Sequence, residues 1–149
     1  ELPNSNVRSI DISEKAINVA KINSEKFHVN NISFKKLDFL KSEMKKFHNF
    51  DLLISNPPYI PKKDMESLMP EVRNFEPYSA LTDNNDGLEF YRKFSSDLPY
   101  ILNSNGTGIF EVGLNSHPED AKRIFNKIGR STKLLKDYNG DDRLIIVRL

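Results

Sequence analysis

The sequence predicts an α/β fold: a mostly parallel sheet that ends in a C-terminal antiparallel hairpin. Three observations predict it. Short apolar runs alternate with stretches of helical period, and strands separated by helices pair in parallel. The run FDLLIS (50–55) is nearly continuous in apolar residues, as in a strand covered on both faces. The last two apolar runs flank DYNGDD, whose Asn139-Gly140 is a hairpin turn signal.

The elements follow in order. Val7 to Ile10 reads as a strand ending at Asp11. Ser13 reads as an N-cap, and Ile17, Ala20, Ser24 and Phe27 form one stripe of the helix behind it. Ile32 to Leu37 alternates as a second strand, ending at Asp38, and FDLLIS runs into Asn56. Residues 56–86 are rich in proline and show no clear period. A structureless stretch of that length is unusual in a compact domain, and such loops are often lids or binding loops. Leu88, Tyr91, Ser95, Leu98 and Leu102 recur at helical spacing, with Pro99 placed to kink or end the helix. GTGIFE reads as a strand entered through a turn at Gly106 and Gly108. SHPE, Ser116 to Glu119, has capping-box spacing with a proline in the first turn. Ala121, Ile124, Phe125 and Ile128 then form a helical stripe stopped by Gly129. Lys133 to Lys136 and Arg143 to Leu149 are the closing strands.

Composition narrows the function classes. The chain has 149 residues, enough for one domain with a buried core, and a net charge of +1. That balance disfavours a dedicated nucleic-acid binder. There is no cysteine, which excludes thiol chemistry and a disulfide framework and is compatible with the reducing cytoplasm. No apolar run approaches the length of a membrane span. The start at Glu1 suggests a fragment or a processed product. His28, His48 and His117 are scattered without metal-ligand spacing and read as surface or capping residues. Glu111 ends a strand, where it can touch a ligand or make a structural hydrogen bond.

In open α/β sheets, ligands bind beyond the carboxyl ends of the strands. Three strands here end in polar residues: Asp11, Asp38 and Asn56. Asp38 followed by Phe39 offers an acceptor for an exocyclic amine and a ring for a base, although both aspartates can instead form turns. The stretch ISNPPYIP is more specific. Asn56 carries a carbonyl and an amide on one short arm. Pro57 is followed by Pro58, which pushes it to an extended conformation and can aim its carbonyl outward. Two oxygens converging there suit a planar –NH2 group, and Tyr59 can stack on that group or close over it.

NPPY after an apolar strand resembles motif IV of the S-adenosylmethionine-dependent amino-group methyltransferases. Together with EVRNFEPYSAL, DGLEFYRKF, FEVG and KDYNGDDRLI, the chain resembles the release-factor glutamine N5-methyltransferases, the PrmC/HemK family, from about Val7 to Val147. The resemblance implies a Rossmann-like class I methyltransferase sheet. It implies that Asp11 and Ile12 of IDIS hold the cofactor ribose, that Asp38 and Phe39 border adenine, and that Asn56 also contacts the cofactor. It implies that Asn56, Pro57, Pro58 and Tyr59 hold the target, with Asn56, Pro57 and Tyr59 in the catalytic role. The implied substrate is the glutamine of the GGQ tripeptide in a peptide-chain release factor. The family's first strand, glycine-rich loop and N-terminal helical domain have no counterpart here, so residues 1–149 are expected to be a partial, N-terminally truncated catalytic domain. Two other readings stand beside this one. One is methylation of an exocyclic amine of adenine or guanine in nucleic acid; the other is an inactive remnant.

Overall fold

A hydroxyl at Ser13 and a carboxylate at Asp11 organise the first turn of the chain. The Asp11 Oδ1 accepts the Ser13 N–H (2.7 Å), and Ser13 Oγ accepts the Ala16 N–H (3.3 Å) as the expected N-cap. In the computed structural model, which describes residues 4–149, this turn joins β1 (Val7–Asp11) to α1 (Glu14–Lys26). Strand β2 (Ile32–Lys36) returns parallel to β1, so the three elements form a βαβ unit. Ile17 is buried and Ala20 and Ser24 are half-buried, as the stripe predicts, while Phe27 caps the helix from an exposed position.

The described residues fall into two compact units that divide between Glu43 and Met44. The second unit carries β3 (Phe50–Ser55), α2 (Pro70–Phe75), α3 (Tyr78–Leu81), α4 (Glu89–Ile101), β4 (Leu102–Glu111), α5 (His117–Asn126), β5 (Ser131–Lys136) and β6 (Asp142–Arg148). Its strands run in the order β3-β4-β6-β5, with β3 parallel to β4 and β6 antiparallel to both neighbours. The fold is therefore α/β, with parallel strands and a C-terminal antiparallel hairpin, as the pattern predicts. Gly140 makes the hairpin turn at φ +89°, and the Asp137 carboxylate accepts the N–H groups of Asn139 and Asp141.

The core of this unit is aromatic. Phe110 on β4 stacks on Phe94 of α4 (centroids 4.3 Å apart) and on Phe125 of α5 (5.6 Å). Leu98, Val112, Ile145 and Val147 are fully buried around them.

Five expectations need correction. Strand β3 is not covered on both faces: Leu52 and Ile54 are 45% and 70% exposed. It is an edge strand of its sheet, and the helices of this unit pack on β4, β5 and β6 instead. Residues 56–86 are not structureless, because a 3-10 helix (Lys62–Ser67), α2 and α3 fill the stretch. Pro70 starts α2, its missing N–H costing nothing in a first helical turn. The capping box at SHPE does not form, since Ser116 is already helical (φ −79°, ψ −14°) and its side chain caps nothing. Strand β4 begins at Leu102, so Gly106 and Gly108 lie inside it; a Cβ on Gly108 would meet the Phe110 ring at 2.7 Å. The stripe on α5 holds at Ala121 and Phe125, but Ile128 lies beyond the helix and is exposed, next to the Gly129 stop (φ +73°).

Candidate active site

Strand β3 delivers Asn56 to its carboxyl end, and the two prolines behind it prevent the ladder from continuing. Asn56 is exposed, and its amide has no hydrogen-bond partner among the described residues. Pro57 is buried, yet its carbonyl accepts no hydrogen bond among the described residues. Neither oxygen is therefore spent on neighbouring protein. Past the prolines, the Ile60 N–H donates to the Leu81 carbonyl (2.9 Å) and the Lys62 N–H to the Asn85 carbonyl (2.9 Å). The base of the long loop is thus tied shut.

Residues 82–89 build the platform beneath this turn. The Asp83 Oδ1 accepts the N–H groups of Asn85 (2.8 Å) and Gly87 (3.0 Å), and Oδ2 accepts that of Glu89 (2.9 Å). Winding backbone around one carboxylate requires positive φ at Asn84 and at Gly87 (+83°). Gly87 is also a close approach, since a Cβ there would fall 2.3 Å from the Tyr59 carbonyl oxygen.

The Tyr59 hydroxyl donates to Glu111 Oε1 (2.9 Å) and accepts from Arg143 Nη2 (3.2 Å). Arg143 Nη2 also donates to Glu111 Oε1 (2.8 Å), closing a three-membered ring of interactions. Tyr91, fully buried, donates its hydroxyl to the Glu111 carbonyl (2.5 Å). Burial pushes the Tyr59 phenol above its ordinary range, with Glu111 adding to that and Arg143 opposing it. Tyr59 is thus a fixed wall, held at its hydroxyl. The sequence leaves open whether Glu111 bonds structurally or touches a ligand, and here it bonds to Tyr59 and Arg143.

His117 is buried, which corrects the surface or capping role expected of it. Its Nδ1 accepts the Gly113 N–H (3.0 Å), so Nε2 carries the proton and donates to the Gly87 carbonyl (3.0 Å). Its ring lies 5.8 Å from that of Tyr59 and 5.1 Å from that of Tyr91. Burial holds the imidazole below its ordinary 6.5, against a weaker opposite pull from the bond to Gly87.

In the first unit, Asp11 ends β1 exposed, with Oδ1 engaged in its own turn and Oδ2 without a partner among the described residues. Asp38 is half-buried; its Oδ1 accepts the Lys41 N–H (3.2 Å), and Oδ2 lies 3.5 Å from the Lys41 amine. Phe39 is half-buried beside it and Ile12 is exposed.

A model of a methyltransferase domain matches residues 1–103 of the chain. The chain belongs to this methyltransferase family. Among curated relatives, the release factor glutamine methyltransferase of Fusobacterium nucleatum is 40% identical over 148 residues, covering 99% of this chain and 42% of the relative. The methyltransferase domain described here spans about half the length of the curated relatives it matches. Two solved structures share its fold. One is a methyltransferase from Pyrococcus furiosus (TM-score 0.67, 19% identity, 97% of this chain and 63% of that one). The other is a release factor-specific protein-(glutamine-N5) methyltransferase from Alicyclobacillus acidocaldarius (TM-score 0.52, 23% identity, 97% and 79%).

Sequence reasoning missed Arg143, Tyr91, Asp83 and His117 as parts of this site. A signal was present for three of them. Tyr91 and Arg143 fall in the quoted stretches DGLEFYRKF and KDYNGDDRLI, and His117 follows FEVG within six residues. The methyltransferase domain uses these stretches to hold the NPPY turn: Gly87 abuts Tyr59, Tyr91 pins the end of β4, and Arg143 reaches the phenol.

Proposed function

We propose that this methyltransferase domain moves a methyl group from S-adenosylmethionine to the side-chain amide nitrogen (N5) of a protein glutamine. The substrate we propose is the GGQ glutamine of a peptide-chain release factor, in the cytoplasm. One observation carries the reading: at the end of β3, neither the Asn56 amide nor the Pro57 carbonyl has a hydrogen-bond partner among the described residues. The name of the 40%-identical relative supports the substrate class.

An amide nitrogen is a poor nucleophile because its lone pair is shared with the carbonyl. When bound, S-adenosylmethionine would supply an electrophilic methyl carbon, its C–S bond breaking to leave the neutral thioether while the amide nitrogen gives up one proton to solvent. The Asn56 side-chain oxygen and the Pro57 carbonyl accept the two N–H bonds of the target, leaving its lone pair directed away from them. Pro58 stiffens the turn, and Tyr59 forms a flat wall for the amide plane. Alignment of this kind can account for roughly 7–11 kcal/mol of a barrier. Asp11, with its spare Oδ2, and Ile12 carry the ribose end of the proposal; Asp38 and Phe39 carry the adenine end. A carboxylate is acceptor-only and fits a diol, and a half-buried ring fits a base.

The test is Asn56→Ala in the full-length protein. Labelled methyl transfer to release factor is expected to fall by on the order of 100-fold or more, with calorimetric affinity for S-adenosylmethionine little changed. Wild-type turnover in that variant would rule the clamp out. Transfer to RNA or DNA in place of release factor would rule the substrate out.

A further inference from the structure

The NPPY turn has little backbone support of its own. Pro57 and Pro58 have no N–H to donate, so the turn is anchored through Ile60 at one end and through the Tyr59 side chain. The groups that hold Tyr59 come from strands far away in sequence. Glu111 closes β4, and Arg143 lies on β6, the antiparallel neighbour of β4. Glu111 pairs with Leu144 in the ladder and the Val112 N–H donates to the Arg143 carbonyl (2.9 Å), so the strand ends that carry the two side chains are held together. The Tyr91 hydroxyl clamps the Glu111 carbonyl from a third direction. A group held on paired strands is placed more tightly than one held on a loop.

The geometry points to Glu111 and Arg143 as positioning residues that act through Tyr59: together they fix the phenol and, with it, the turn that presents the target amide. This rests on the proposed function. Both hydrogen bonds of the phenol involve a charged partner, and such bonds are roughly twice as strong as neutral ones. The ion pair (2.8 Å) is mostly shielded, its side chains 25% and 28% exposed. A phenol that donates to one member and accepts from the other has its oxygen position and its O–H direction both set.

The experiment is a double-mutant cycle in the full-length protein with release factor as substrate. A misplacement of about 1 Å costs on the order of 100-fold. Arg143→Met and Tyr59→Phe are each expected to lower kcat by about tenfold or more within that range, with KM for S-adenosylmethionine unchanged. Arg143→Lys is expected to recover part of the loss. The double variant is expected to cost no more than the worse single one, because both remove the same link. Independent multiplication of the two losses, or wild-type kcat in Arg143→Met, would overturn the proposal.

Carbon-13 NMR of labelled tyrosine gives a second readout, with Tyr59→Phe assigning the signal. The Tyr59 titration is expected to move up in Arg143→Met and down in Glu111→Gln. Unmoved titrations would show that the ring of contacts does not exist in solution and would overturn the proposal by themselves. If the titrations move but the parent protein methylates no release factor, the proposed function falls and takes the catalytic part of this inference with it. An active enzyme indifferent to these substitutions refutes the positioning role alone.

Discussion

Asp11 and Glu111 each end a strand with a carboxylate, and their surroundings are opposite. Asp11 is exposed and bonds to the N–H two residues ahead. Glu111 is half-buried and bonds to Tyr59, 52 residues before it, and Arg143, 32 residues after it. The Asp11 contact would form in a short peptide, whereas the Glu111 contacts exist only once β3, β4 and β6 are assembled. A carboxylate with local partners keeps capacity for a ligand. One with distant partners has become part of the frame that shapes the site.

The largest test of that contrast lies in the frame. Gly87→Ala must adopt a positive φ and force a methyl group into the Tyr59 carbonyl, 2.3 Å away. We expect a loss of about 2–4 kcal/mol from backbone strain plus overpacking, read as a shift in urea midpoint. A loss below about 0.5 kcal/mol, the usual effect of a surface substitution, would mean that the Tyr59 turn is loosely held and would break the comparison.

The two carboxylates can then be compared directly. Glu111→Ala removes the acceptor of both the Tyr59 O–H and the Arg143 guanidinium, leaving the two only their bond to each other, and should cost about 1–3 kcal/mol. Asp11→Asn keeps the oxygen that accepts the Ser13 N–H and should cost at most about 0.5 kcal/mol. Asp11→Asn should instead weaken S-adenosylmethionine binding in calorimetry. Equal stability costs for the two would erase the distinction.

The smallest effect concerns His117, and it depends on pH. The folded protein favours the neutral imidazole, so the folded value lies below 6.5. As pH drops below 6.5 the unfolded chain takes up the proton first, and by linkage stability falls. The contribution is complete above that pH and is lost as pH approaches the lower folded value. Thermal melts at pH 7.5 and 5.5 should show this acid loss in the wild type and a smaller one in His117→Gln. An identical acid loss in both would show that His117 does not titrate on unfolding.

Much of the fold is visible in the chain. Ser13 as a cap, FDLLIS as a strand, Gly129 as a helix stop and Asn139-Gly140 as a turn all follow from contacts within a few residues. The NPPY turn at the end of β3 was legible for the same reason. The sequence failed where the outcome depends on what lies across space. Nothing near Leu52 and Ile54 says that their side chains stay exposed. Nothing near His117 says that its two ring nitrogens will find Gly113 and Gly87. At SHPE the local signal was misleading, because the turn from Leu114 had already wound the chain, with the His117 N–H bonded to the Leu114 carbonyl.

By itself, then, the sequence determined the order of the strands and the longer helices, the placing of Asp11, Asp38 and Asn56 at strand ends, and the two prolines that stop β3 at the rim. These follow from side-chain period, from steric limits on φ and ψ, and from hydrogen bonds spanning two to four residues. The tertiary structure alone decided which oxygens stay unbound, which face of β3 is bare, and that Glu111, Arg143, Tyr91 and His117 converge on one turn. Such contacts join residues tens of positions apart, and they are set by strand pairing and core packing, which no short window of sequence encodes.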